Sequence, residues 1–170
     1  ENRDYFFLEM NTRLQVEHPV TEEISGVDLV KEMIHIAEGK ELSIKQDELK
    51  INGHSIELRV YAEDPKNEFL PDIGTLEVYE IPTGEGVRVD DVFEQGMAIP
   101  IYYDPMIAKL TVWGKDRNEA IERILKAIKE YKIKGIETTL PFGAFAINHE
   151  AFRDGSFDTH FVQKHFTPEM

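Results

Sequence analysis

The 170-residue sequence predicts an α+β fold built around a largely antiparallel sheet. Three observations carry this. Segments in which apolar and polar residues alternate recur along the chain, the pattern of half-buried strands. Apolar stripes at helical spacing are also present, but they do not alternate regularly with the strands as a parallel α/β fold requires. The segments are separated by short turns rich in Gly and Pro, such as Thr83-Gly84-Glu85-Gly86. There is no internal repeat and no low-complexity tract.

The run Tyr5-Phe6-Phe7-Leu8 reads as a strand. Because Glu1 is not a Met and this strand has nothing before it to satisfy its backbone groups, the sequence is expected to be a piece of a longer protein, cut inside a sheet. From Leu8 to His18 the chain alternates. Leu8, Met10, Leu14 and Val16 are apolar, with Thr12 between them, whereas Glu9, Asn11, Arg13, Gln15 and Glu17 are polar. An extended backbone sends the two sets to opposite faces. Pro19 ends this run. A helix is expected next, with Ser25 and Asp28 at capping-box spacing, Val27, Val30, Ile34 and Ala37 as its apolar stripe, and Gly39 as its stop. Residues 40–52 are polar and mixed, and divide the chain into a unit of residues 1–45 and a unit of residues 46–170.

Beyond the Asn52-Gly53 turn, a strand places Ile56, Leu58, Val60 and Ala62 on one face and Glu57, Arg59, Tyr61 and Glu63 on the other, and Asp64-Pro65 ends it. Shorter strands are expected at residues 75–81, 87–89 and 106–113. The clearest helix covers residues 117–132, capped by Asp116 with Glu119 three positions on. Its buried face is Ala120, Ile121, Ile124, Leu125, Ile128 and Tyr131. Short helices are expected at residues 141–148 and 159–165, and Phe142, Phe145 and Phe152 are assigned to the core.

Composition excludes whole classes of function. With 19 Lys+Arg against 33 Asp+Glu, the net charge of −14 argues against a nucleic-acid partner. The absence of cysteine removes disulfides, thiolate zinc sites and thiol nucleophiles, and fits a reducing compartment such as the cytoplasm. No apolar run approaches the ~18–20 residues of a membrane span, so no membrane association is expected. His18, His35, His54, His149, His160 and His165 show no metal-ligand spacing and read as structural.

The polar face of the first alternating segment is the candidate site. Glu9, Asn11 and Arg13 set an anion, a neutral oxygen and a cation ~7 Å apart, from a rise of ~3.3 Å per residue. That order suits Mg²⁺ beside an anion gripped by a guanidinium, as on a phosphoryl-transfer floor. Two alternatives accompany it: Glu17 pairing with Arg13 along the strand, and Arg59 forming a surface ion pair with Glu57 or Glu63.

The stretch Phe7-Leu8-Glu9-Met10-Asn11-Thr12-Arg13-Leu14-Gln15-Val16-Glu17-His18-Pro19-Val20-Thr21-Glu22 resembles the active-site segment of biotin carboxylase, the ATP-grasp component of acetyl-CoA, propionyl-CoA and pyruvate carboxylases. Glu57-Leu58-Arg59-Val60-Tyr61-Ala62-Glu63-Asp64-Pro65, Tyr102 to Leu110, and Lys134-Gly135-Ile136-Glu137-Thr138-Thr139 agree in order. The resemblance implies the end of an ATP-grasp lobe followed by a biotin carboxylase C-terminal domain. It also implies MgATP (or Mn²⁺) and carrier-linked biotin as cofactor and substrates, and carboxylation of biotin through carboxyphosphate. By the same resemblance Glu9 would bind ATP and its metal, and Asn11 the metal. Arg13, Gln15, the Val16 backbone and Arg59 would hold bicarbonate. Glu17 would be the general base, and Arg59 would stabilise the biotin enolate. Apart from the resemblance, Asp104 is expected to orient Arg59 across the fold.

The partners it implies are a second copy of the chain, with Arg88 near the dimer interface, a biotin carboxyl carrier domain, and a carboxyltransferase subunit. The family's glycine-rich loop and ATP-binding lysines have no counterpart in this sequence, so the chain alone is expected to be inactive. The rival readings are a non-catalytic dimerisation and packing module, and a carbamoyl-phosphate-forming ATP-grasp enzyme. The Gln15-Val16-Glu17-His18 run and Arg59 disfavour the latter.

Overall fold

A computed structural model describes residues 5–100 and 102–167. Glu1, on which the expectation of a longer parent partly rests, lies outside these residues.

Its centre is a three-stranded antiparallel sheet in the order β1-β6-β5, made of β1 (His54–Tyr61), β5 (Val87–Asp91) and β6 (Met106–Gly114). The alternation in each strand sorts its side chains. Ile56, Val60, Leu110 and Val112 point to one face and are buried there. Against that face lies α3 (Arg117–Glu130), whose Ala120, Ile121 and Ile124 are fully buried, and beside it α4 (Leu140–Asn148). A side chain at Gly143 would place its Cβ 2.5 Å from Leu58 Cδ2, so glycine is what lets α4 settle onto β1. Two smaller antiparallel pairs complete the fold, β2 (Glu63–Asp64) with β3 (Leu70–Pro71), and β4 (Val78–Glu80) with β7 (Lys132–Lys134).

The α+β class and the antiparallel sheet are as expected, but several elements differ. No strand forms over residues 5–17: Tyr5, Phe6, Phe7, Leu8 and Met10 are exposed, and the expected period-2 face is absent. An extended segment becomes a strand only when a neighbouring strand takes up its backbone donors and acceptors, and among the described residues no strand does so for residues 5–17. Pro19 does not merely end the run. It sits in the first turn of α1 (His18–Ser25), where its missing N–H costs nothing.

The single helix expected after it is two. Gly26, at φ 70°, closes α1 with its N–H on the Glu22 carbonyl, and α2 (Leu29–Ala37) starts afresh. The cap of α2 is Asp28, which accepts from Lys31 N at 2.8 Å. Ser25 belongs to α1 and donates back to the Thr21 carbonyl. The strand expected at 75–81 is reduced to β4 plus a bridge from Thr75 to Ala98. The helix expected to reach residue 132 stops at Glu130, where Lys132 enters β7. Short α5 (Glu150–Asp154) and α6 (Phe161–His165) follow α4. Phe142 and Phe145 do not join the central core but pack half-buried with Phe69 and Phe166 at its edge, whereas Phe152 packs half-buried against the core, as expected, and stacks on Phe157.

The polar stretch between α2 and β1 is tied down at both ends. The carboxylate of Glu32, on α2, accepts from Ser43 N (2.9 Å) and Ser43 Oγ (2.7 Å). These bonds hold it below the usual carboxylate range. At the other end Asn52 N donates to the Ile24 carbonyl on α1 (2.8 Å), and the indole of Trp113 donates to the Asn52 carbonyl (2.9 Å).

Candidate functional site

The second face of the sheet is polar, and its register explains the site. Across β1-β6-β5, Glu57 lies beside Thr111 and Thr111 beside Arg88. In the next row on that face, Arg59 lies beside Lys109 and Lys109 beside Asp90. Helix α1 and the turn before it cover these two rows. The contact is therefore built on ion pairs, with Pro19 the fully buried apolar residue of α1.

Glu17 is the N-cap residue of α1, but its side chain caps nothing in the helix. It turns to the sheet and accepts from Arg59 Nη2 at 2.8 Å, across 42 residues of sequence. Its carboxyl is held below the usual range, first by a hydrogen bond involving its own backbone and then, against some desolvation, by Arg59 and more weakly by Arg13. Arg59 has a second carboxylate at its flank, Glu57 Oε1 at 4.0 Å from Nε. Glu57 is nearly enclosed, and burial pushes its carboxyl up despite Lys109, the Thr111 hydroxyl (3.3 Å) and Arg59.

Lys109 Nζ donates to the Val16 carbonyl (3.1 Å) and stands 3.4 Å from Asp90. Burial works to raise Asp90, but the two-pronged hydrogen bond from Arg88 (2.8 and 2.9 Å) and the charge of Lys109 outweigh it and hold the carboxyl low. Arg88 also reaches Glu22 on α1 at 2.8 Å and Glu23 at 3.7 Å.

Of the residues singled out from sequence, Glu17 and Arg59 are thus brought into contact, and the Val16 backbone is joined to the same face through Lys109. Arg13 and Gln15 are turned onto their own segment, Arg13 to the Leu14 carbonyl and Gln15 to the Asn11 and Arg13 carbonyls. Glu9 and Asn11 stand exposed on the unpaired segment, away from this cluster's hydrogen bonds. The alternative pairing of Glu17 with Arg13 yields to Arg59. Asp104 accepts from Met106 N and makes no bond to Arg59. Among the described residues no group of three His, Asp or Glu side chains is arranged to hold a metal.

Sequence reasoning missed Lys109, Asp90 and Glu22, and had Glu57 only as an alternative ion-pair partner of Arg59. Alternation in β6 does put Lys109 and Thr111 on the polar side, but only the strand register shows that Lys109 stands between Arg59 and Asp90 and Thr111 between Glu57 and Arg88.

Residues 57–164 match the family profile of the biotin carboxylase C-terminal domain. Residues 1–45 match that of the carbamoyl-phosphate synthase L chain, ATP-binding domain. A pyruvate carboxylase component of Methanothermobacter thermautotrophicus is 52% identical over 164 residues, which cover 96% of this chain and 33% of the relative. Biotin carboxylase 1 of Bacillus subtilis is 50% identical over 159 residues, 94% of this chain and 35% of that one. The biotin carboxylase domain dimer of the Hydrogenobacter thermophilus 2-oxoglutarate carboxylase, solved with MgADP, ADP and bicarbonate, superposes with a TM-score of 0.92 at 48% identity, covering 94% of this chain and 35% of that chain. The chain spans about a third of the length of these relatives. With a matched profile extending over more than half of its length, the chain belongs to the biotin carboxylase C-terminal domain family.

Proposed function

We propose that this chain forms the C-terminal part of a biotin carboxylase, a ligase that uses MgATP and bicarbonate to carboxylate biotin on a carrier protein. The observation that carries the reading is the 2.8 Å contact between Glu17 and Arg59, which joins the two motif segments of the sequence at one point.

In this reading Glu17, kept ionised beside Arg59, takes the proton of bicarbonate, and the freed oxygen attacks the γ-phosphorus of ATP, with ADP leaving. A base for this step lies within ~2.6–3.2 Å of the proton it accepts. Arg13 and Gln15 bind the anion once their present contacts along the segment are exchanged for it, and the Val16 backbone N–H joins them while its carbonyl stays on Lys109. Carboxyphosphate then yields CO₂ and phosphate, and phosphate deprotonates the ureido nitrogen that attacks CO₂. Arg59, a cation already fixed by two carboxylates, stabilises the enolate-like oxygen of biotin during that attack.

The donors of Glu9 and Asn11 are hard oxygens, the type Mg²⁺ accepts. A site using one or two protein oxygens alongside phosphates and water is common for that ion. Bound there, the ion would neutralise phosphate charge. The separate matches at residues 1–45 and 57–164 support a division near residue 45. The dimeric relative supports assembly as a homodimer, in which a carrier domain and a carboxyltransferase act as further partners. A cytoplasmic setting is in keeping with the cysteine-free sequence, and no helix among the described residues is long and apolar enough to cross a membrane.

The test is made in the full-length carboxylase with free biotin. Glu17→Gln and Arg59→Ala are each expected to lower bicarbonate-dependent ATP turnover by about 10²–10³-fold. The 170-residue chain alone is expected to give none. Full turnover in either variant refutes the assignment of its residue, and full turnover in both refutes the reading.

A further inference from the structure

We infer that Lys109 is a positioning residue for the proposed carboxylation, holding the Val16 carbonyl so that the neighbouring Glu17 carboxylate meets the Arg59 guanidinium. The inference rests on the carboxylase reading above and adds a residue to it.

Among the described residues, 5–17 pair with no strand, and the hydrogen bonds of the Arg13 and Gln15 side chains run along their own segment. Upstream of Glu17, the hydrogen bond that ties this segment to the sheet, among the described residues, is Lys109 Nζ to the Val16 carbonyl at 3.1 Å, across 93 positions. Val16 is the residue before Glu17. A shift of its carbonyl rotates the peptide on which Glu17 is mounted and moves the carboxylate off Arg59.

The setting of Lys109 argues for a role beyond solvation. Its side chain is only 12% exposed. It lies directly across from Arg59 in the β1–β6 register, a like-charge pairing that by itself disfavours the sheet. The arrangement stands because Asp90, its partner on the other side, is 3.4 Å from Nζ, and because Glu17 and Glu57 offset Arg59. Asp90 is in turn fixed by both prongs of Arg88. The ammonium is therefore oriented by a rigid neighbour and aimed at a backbone oxygen of the segment that carries the base.

The experiment uses the full-length carboxylase. Lys109→Met and Lys109→Gln remove the charge and shorten or abolish the donor, and Lys109→Arg keeps both. The neutral variants are expected to fold, to keep the KM for ATP, and to lose about 10- to 100-fold in kcat for bicarbonate-dependent ATP turnover, the scale of a ~1 Å misplacement. A second readout follows from the groups facing Glu17, which are Arg59 and Glu57 from β1, Lys109 from β6 and Arg13 from its own segment. As Glu17 drifts from Arg59, the acid limb of the pH–rate profile moves to higher pH. A residue needed only for folding would not move that limb. Lys109→Arg is expected to restore most of the rate and the limb.

A folded neutral variant with unchanged kcat and limb overturns the inference, as does failure of both neutral variants to fold, which would make Lys109 purely structural. Glu17→Gln and Arg59→Ala in the same background separate the two proposals. If those lose turnover while Lys109→Met does not, the positioning role alone fails. If they retain it, the carboxylase assignment of Glu17 and Arg59 fails and the role of Lys109 falls with it.

Discussion

Arg88→Met tests how α1 is held to the sheet. The guanidinium makes two bonds to Asp90 and one to Glu22, all at 2.8–2.9 Å. Three charge-assisted bonds at ~1.5–3 kcal/mol each would suggest a large loss, but about a third of the Arg88 side chain and of Asp90 is exposed, and water replaces the bonds to Asp90. The cost concentrates on Glu22, whose side chain is 8% exposed and keeps only the Leu29 N–H (2.8 Å) when Arg88 is gone.

Stranding one member of a buried pair costs ~3–5 kcal/mol. With the exposure of Arg88 discounted, we expect about 2–3 kcal/mol. Urea unfolding of the chain followed by the emission of Trp113, its one tryptophan, reads this directly, because the indole is bonded to Asn52 beside the same sheet. With m of ~1–3 kcal/mol/M, the midpoint falls by about 0.7–3 M. Glu22→Gln combined with Arg88→Met should cost less than the sum of the two single changes, since the double variant leaves no unpaired charge. A loss below about 0.5 kcal/mol for Arg88→Met, or strict additivity in the double variant, refutes the argument that α1 is pinned through Glu22.

Two further expectations concern groups on and near this face. Burial raises the Glu57 carboxyl above its ordinary 4.5, so the folded state binds that proton more tightly than the unfolded chain does. The stabilisation this gives is full below the ordinary value and is lost as pH rises through the folded-state value. Ionised Glu57 therefore costs stability at neutral pH. Glu57→Gln should raise the urea midpoint at pH 7 and lose that advantage toward pH 4; a lowered midpoint at pH 7 would mean that Lys109 and Arg59 outweigh burial. At the start of α2, Asp28→Ala should weaken the first turn by about 1 kcal/mol, seen as faster amide exchange at Lys31, whereas Ser25→Ala should leave Lys31 unchanged. The opposite ranking would restore Ser25 as the cap.

What could be read from the sequence divides along the range of the interactions concerned. β1, β6 and α3 were legible because each carries its own period and buries the face that period marks: Ile56 and Val60, Leu110 and Val112, Ile121 and Ile124. The α1–α2 break turned on a left-handed Gly26, which a stripe running through Val27 conceals. β7 and α5 are short and formed by tertiary contact, leaving little local pattern to find. Residues 5–17 carry a strand's alternation without a partner strand among the described residues, so their pattern does not become a strand here. At the site, the motif resemblance singled out Glu17 and Arg59. It could not reach Lys109 and Asp90, because their roles come from the register of three strands.

The bonds at the two ends of residues 38–53 bear on movement. Ser43 is held to α2 by Glu32, and Asn52 is held both to α1 and to Trp113 of the sheet. A stretch that looks like a flexible connector thus acts as a brace, and α1 and α2 travel with the sheet as one piece. The tie that Lys109 makes to the Val16 carbonyl belongs to the same braced piece, so Glu17 and Arg59 are fixed relative to each other by the sheet, whereas Glu9 and Asn11 lie beyond that tie.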